Sequence, residues 1–125
     1  MQDISGIPSA GQQLINGYGD GGFRVSGIKY EGSVLVLPEK TLLWDITSIA
    51  DITVDSLNTF DAEDVKVEIL LIGCGTNMAF IDTDIRNACR EKGIVIDAMD
   101  TGAAVRTYNV LLLEGRQVAA ALVAV

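Results

Sequence analysis

The chain has 125 residues, 49% hydrophobic and 21% charged, with a net charge of −8 and no histidine. That length and apolar content suit one domain with a real core, and the acidic balance argues against nucleic acid or anionic lipid as a partner. The missing histidine excludes Ser-His-Asp and Cys-His catalysis and His-ligated metal sites.

Residues 1–22 are rich in Gly, Gln and Ser, and "NGYGDGG" (16–22) is turn chemistry. A loosely held arm is expected there, with residues 1–14 as the arm proper and 15–125 as a single domain. The first thirteen residues show neither the basic nor the apolar region of a signal peptide. Nowhere does an uninterrupted apolar run approach the ~18 residues that crossing a membrane needs. Cys74 and Cys89 belong to no CxxC and read as reduced thiols of a cytoplasmic protein.

Strand signals then come quickly. In "FRVSG", Phe23 and Val25 alternate with Arg24 and Ser26. "IKYEGSVLVLP" predicts a hairpin, with strands at 28–30 and 33–37 around Glu31-Gly32 and Pro38 ending the second. Residues 41–46, "TLLWDI", predict another short strand. "TVDSLNTF" predicts a short helix capped by Thr53, with Asp55 in its first turn.

The second half alternates strands and helices. Residues 65–73, "VKVEILLIG", end in an apolar run of the kind found in strands buried on both faces, closed by the turn "GCGT". A helix follows, with Asp82 and Asp84 at its start, Arg90 and Lys92 at its end and Gly93 beyond. Ile81, Ile85, Ala88 and Cys89 form its apolar stripe. "GIVIDAM" (93–99) predicts a second buried strand. The next helix begins at Asp100 and carries Ala104, Val105, Tyr108, Leu111 and Leu112 on one face. Val110 and Leu113 widen that face, so a mostly buried helix is expected, stopped by Gly115 before a last apolar strand at 116–125. Hairpin strands followed by β-α-β-α-β imply parallel pairing with helical crossovers.

"DTG" at 100–102 is also the fingerprint of aspartic proteases. Those enzymes hold the Asp in a loop between strands, where two carboxylates share a proton. Here a helical period follows, and only 23 residues remain after Gly102. Asp100 is therefore read as a helix N-cap, and no catalytic residue is assigned.

A longer block carries a resemblance. "MDTGAAVRTYNVLLLEGRQVAAAL" (99–122), supported by "INGYGDGGFRVSG" (15–27), "EILLIGCGT" (68–76) and "IRNACREKGIVIDAM" (85–99), resembles a small α/β domain family of bacteria, archaea and mitochondria. Its members include mitochondrial respiratory complex I assembly factor three. The resemblance implies a three-layer α/β fold, a central mixed β-sheet flanked by helices, with an N-terminal β-hairpin region. It implies no established enzyme activity and no cofactor. It suggests a protein-binding or assembly role in respiratory-complex or membrane-protein biogenesis. Cys74 departs from the Thr-like residue expected between the two glycines, so any thiol role would belong to this chain alone.

Several residues stand out as candidate sites. Parallel strands would bring the "GCGT" turn and the "DTGA" helix start to one sheet edge, where ligands collect in open α/β sheets. Gly73, Cys74, Gly75, Thr76, Thr101, Gly102 and Arg106 would line that small-molecule or anion site, with Cys74 accessible and Cys89 in the core. The alternative is two glycine-assisted turns without a ligand. Arg106, Tyr108 and Asn109 would form a structural network with Asp100, Arg106 pairing with Asp100 or Asp97. Asp61, Glu63, Asp64, Asp82 and Asp84 match no metal pattern and read as solvated or capping carboxylates. Phe23, Tyr30, Trp44 and Phe60 would either cover one sheet face or, if Tyr30 and Trp44 are exposed together, form a protein-binding patch. An unpaired edge strand in the N-terminal region would permit a homodimer.

Overall fold

In the computed structural model, which describes residues 11–61 and 66–125, the alternating stretch around Phe23 is the middle of a small antiparallel sheet. Strands β1 (Ile15–Gly19), β2 (Gly22–Val25) and β3 (Ile28–Glu31) pair in that order. Two-residue turns join them. Asp20-Gly21 has φ of 53° and 79°, and Ser26-Gly27 has 50° and 82°. Positive φ at both positions is what a right-twisted hairpin requires. The glycine-rich stretch from residue 15 is thus the first hairpin, not an arm. Residues 11–14 are tied down as well: the Gln13 amide donates to the Pro38 carbonyl at 2.9 Å. Residues 1–10 of the expected arm lie outside the described residues.

The expected hairpin over 28–37 does not form. Among the described strands β3 pairs only with β2, while β4 (Val34–Val36) joins a second sheet between β5 (Thr41–Leu43) and β8 (Val118–Leu122). Two physical reasons stand out. Of the two intended turn residues only Gly32 has a positive φ, at 98°. In addition Val34, Leu35, Val36 and Leu37 are all buried, whereas three of the four residues of β3 are exposed. An apolar run buried on both faces belongs inside a sheet.

That second sheet has the order β5-β4-β8-β6-β7. β6 (Ile69–Gly73) runs parallel to β7 (Val95–Met99) and to β8, and β4 runs antiparallel to β8 and β5. The crossovers are α1 (Thr83–Arg90) and α2 (Thr101–Leu113). Asp82 caps α1 by accepting from the Asp84 amide at 3.1 Å, and Gly93 turns the chain out of it at φ 81°. β8 is the central strand and all five of its residues are fully buried. β7 is an edge strand and only half-buried: Val95 and Asp97 are exposed. The expectation of a buried strand over residues 93–99 therefore fails at Val95 and Asp97, while Met99 packs against the core on the α2 side.

Both faces of the sheet are covered, giving the three layers of the expected fold. On one face Leu70, Ile72, Ile96 and Ala121 meet Ile85 and Cys89 of α1 and the side chains of Trp44, Leu57 and Phe60. On the other, Leu71, Val118, Ala120 and Leu122 meet Ala104, Val105, Tyr108 and Leu112 of α2, and Phe23 and Val25 of the small sheet. The expected short helix at 53–60 is a 3-10 helix, Asp55–Asp61, and Thr53 does accept from the Ser56 amide at 3.1 Å. Trp44 is buried, and its indole N–H donates to the Ser56 carbonyl at 3.0 Å. Tyr30 packs at the opposite face. No Tyr30–Trp44 surface patch exists. α2 is also less buried than expected, since Val110 and Leu113 face outward.

Candidate functional site

Because β6, β7 and β8 are parallel, the turn after β6 and the start of α2 lie at one edge of the sheet. There the chain is laced together by Thr101, which is fully buried. Its hydroxyl donates to the Val123 carbonyl at 2.8 Å and accepts from the Gly75 amide at 2.9 Å. Its own amide donates to the Gly75 carbonyl at 2.9 Å. The Cys74 amide donates to Met99, and the Val123 amide to Gly73. Gly73 is needed for this approach: a Cβ there would lie 2.9 Å from the Leu122 side chain and 3.0 Å from both Thr101 Cα and Oγ1. Gly75 adopts φ 104°, which glycine tolerates and side-chain-bearing residues rarely do.

This geometry brings Gly73, Gly75 and Thr101 together as a closed joint. The amides of Cys74, Gly75, Thr101 and Ala103 all donate to protein acceptors. Gly102 faces the Tyr18 hydroxyl. Thr76 points to solvent. Cys74 is 6% exposed, not accessible as expected. Its Sγ lies 3.8 Å from the Ile72 carbonyl oxygen and 3.7 Å from that of Ala79, and it belongs to the same core cluster as Cys89.

The expected Arg106 pairing also fails. Asp100 caps α2, accepting from the Ala103 amide at 2.9 Å, while Arg106 is exposed and no ion pair joins it to Asp100 or Asp97. At 3.6 residues per turn Arg106 sits about 120° round the helix from Asp100, and its guanidinium lies beside Gly102 instead, 3.5 Å from where a Cβ there would sit. Tyr108 and Asn109 instead tie α2 to the N-terminal segment. The Tyr108 hydroxyl donates to the Gln13 carbonyl at 2.8 Å. Asn109 accepts from the Ile15 amide at 2.9 Å and donates to the Ile15 carbonyl at 2.8 Å, as a neighbouring strand would. Burial pushes the Tyr108 phenol well above its usual range. The unfolded chain therefore ionises this group first. The stability it contributes is intact below about pH 10 and falls as pH rises beyond that. Urea midpoints measured above pH 10 are expected to drop more steeply for the wild type than for Tyr108→Phe.

Among the described residues no group of three His, Cys, Asp or Glu side chains is placed to hold a metal ion. Glu63 and Asp64 lie outside the described residues. A cavity of about 370 Å³ opens at the opposite end of the sheet, and one of about 220 Å³ lies beside β1 and β2; none of the seven candidate residues lines either. Sequence reasoning also missed Met78 and Phe80 on the loop after β6, which are 64% and 81% exposed. Their only sequence signal is two large apolar residues in "TNMAF", outside any periodic element.

Comparison with known proteins adds the following. A family model described as "Protein of unknown function (DUF498/DUF598)" matches residues 15–123. NADH dehydrogenase (ubiquinone) 1 alpha subcomplex assembly factor 3 of Xenopus tropicalis is 36% identical over 115 residues, which is 92% of this chain and 63% of that protein. The chain thus spans less than two thirds of that relative's length. An uncharacterised protein of Rhodobacter capsulatus is 35% identical over 113 residues, covering 90% of this chain and 86% of its own. A solved structure from Bartonella henselae, described as an outer membrane protein, is 39% identical with a TM-score of 0.84, covering 91% of this chain and 96% of that one.

Proposed function

The chain belongs to the DUF498/DUF598 family of proteins of unknown function, and from that membership we propose that it is a non-catalytic assembly module working by protein–protein contact in the biogenesis of respiratory complex I. The observation that carries this reading is the similarity to assembly factor 3 over 92% of the chain. The proposal includes a cytoplasmic location and a protein partner. No described helix is long and apolar enough to cross a membrane.

Met78 and Phe80 support the contact mechanism. Two neighbouring large apolar side chains on one loop offer a partner an apolar contact, and aromatic anchors commonly dominate interface energies. The loop itself is anchored, since Ala79 lies against Cys74 and Ile81 is fully buried. A pull-down with the tagged chain is expected to recover complex I subunits or assembly intermediates. The double variant Met78→Ser, Phe80→Ser should lose them by tenfold or more, about 1.4 kcal/mol or above, with an unchanged melting temperature. Equal recovery with the variant would remove the loop from the interface.

A further inference from the structure

The cavity at the far end of the sheet has a charge pattern at odds with the rest of the molecule. Of nine Lys and Arg residues in a chain of net charge −8, three, Lys40, Lys66 and Arg116, line it, against one carboxylate, Glu39, among the described residues. They come from three separate places: the turn between β4 and β5, the approach to β6, and the link from α2 to β8. The apolar side chains of Leu37, Pro38 and Leu112 complete the wall. At about 370 Å³ it falls within the range of small-molecule sites.

We propose that this cavity binds an amphipathic organic anion, a carboxylate or phosphate monoester on a short apolar body, with Lys40, Lys66 and Arg116 around the head group and Leu37, Pro38 and Leu112 against the body. The inference is independent of the assembly reading and uses none of its residues. The obvious structural task for cations at this place is already met by backbone. The last carbonyls of α2 accept from amides: Val110 from Glu114, Leu111 from Arg116, and Leu112 from Gly115. No ion pair joins Lys40, Lys66 or Arg116 to Glu39 or to any other described carboxylate. Charges of one sign lining a single partly apolar hollow favour an anion there. Arginine adds a planar fork suited to either head group.

The test is an NMR-monitored titration of the labelled full chain with octanoate, octyl phosphate, octanol and inorganic phosphate. Saturable shifts at the Lys40, Gly115 and Gln117 amides are expected with at least one octyl anion. Octanol and inorganic phosphate should bind at least tenfold more weakly. Binding of one octyl anion alone supports the site and identifies its head group. The double variant Lys40→Ala, Arg116→Ala, both exposed positions, should keep the wild-type spectrum elsewhere and weaken binding about tenfold or more. Three results would overturn the proposal: no saturable shift with either octyl anion, octanol or inorganic phosphate binding as tightly as the anions, or unchanged binding by the double variant.

Discussion

Replacing Tyr108 by alanine is expected to remove about 3–5 kcal/mol of stability, the range for deleting a large aromatic from a packed core. Tyr108 is fully buried between α2 and the sheet, in the cluster that also holds Phe23, Val36 and Leu71. Its hydroxyl is one of the bonds holding residues 11–14 down. Tyr108→Phe keeps the ring and loses only the hydroxyl's contacts with the Gln13 carbonyl at 2.8 Å and the Leu37 carbonyl at 3.5 Å, so about 1 kcal/mol is expected. Urea denaturation of the three proteins separates the two contributions. Against a typical domain stability of about 5–15 kcal/mol, the alanine variant should be marginal or unfolded near 37 °C. A loss below about 1 kcal/mol for alanine would mean that α2 and the N-terminal hairpin are not docked through this ring.

Thr101→Val should cost about 3 kcal/mol, although it changes shape hardly at all. Valine leaves the Gly75 amide and the Val123 carbonyl without the partner each has now, and an orphaned buried polar group costs about 1–3 kcal/mol. Thr101→Ser keeps the hydroxyl and should recover most of the loss. The pair of variants tells a hydrogen-bond effect from a packing effect, because serine lacks the methyl group and valine lacks the oxygen. If valine and serine destabilise equally, the joint is held by packing and the hydroxyl is incidental.

These residues also mark where sequence reading succeeded and where it stopped. The β-α-β-α-β order, the Asp82 and Asp100 caps and the stripe Ile81, Ile85 and Cys89 were legible, because each is a local pattern with a local cause. That Gly73, Gly75 and Thr101 meet followed from parallel pairing alone. What they build did not: a threonine hydroxyl reaching Val123, 22 residues away, leaves no trace in the spacing of either segment. The predicted 28–37 hairpin failed for a similar reason. β4 is claimed by β8, more than eighty residues downstream, and a two-residue turn signal cannot register that competition. Asn109 was noticed for its polarity in an apolar helix, but its role as a surrogate strand for Ile15 depends on the small sheet's position. The cationic cavity was invisible because Lys40, Lys66 and Arg116 are isolated charges in sequence and converge only through the antiparallel return of β4 onto β8.

The assembly reading is tested most directly by the amount of fully assembled complex I, resolved on native gels, in source cells lacking this chain. The account predicts a clear fall, restored by the wild-type chain and not by Met78→Ser, Phe80→Ser expressed at the same level. An unaltered quantity of assembled complex I in cells without the chain would contradict it.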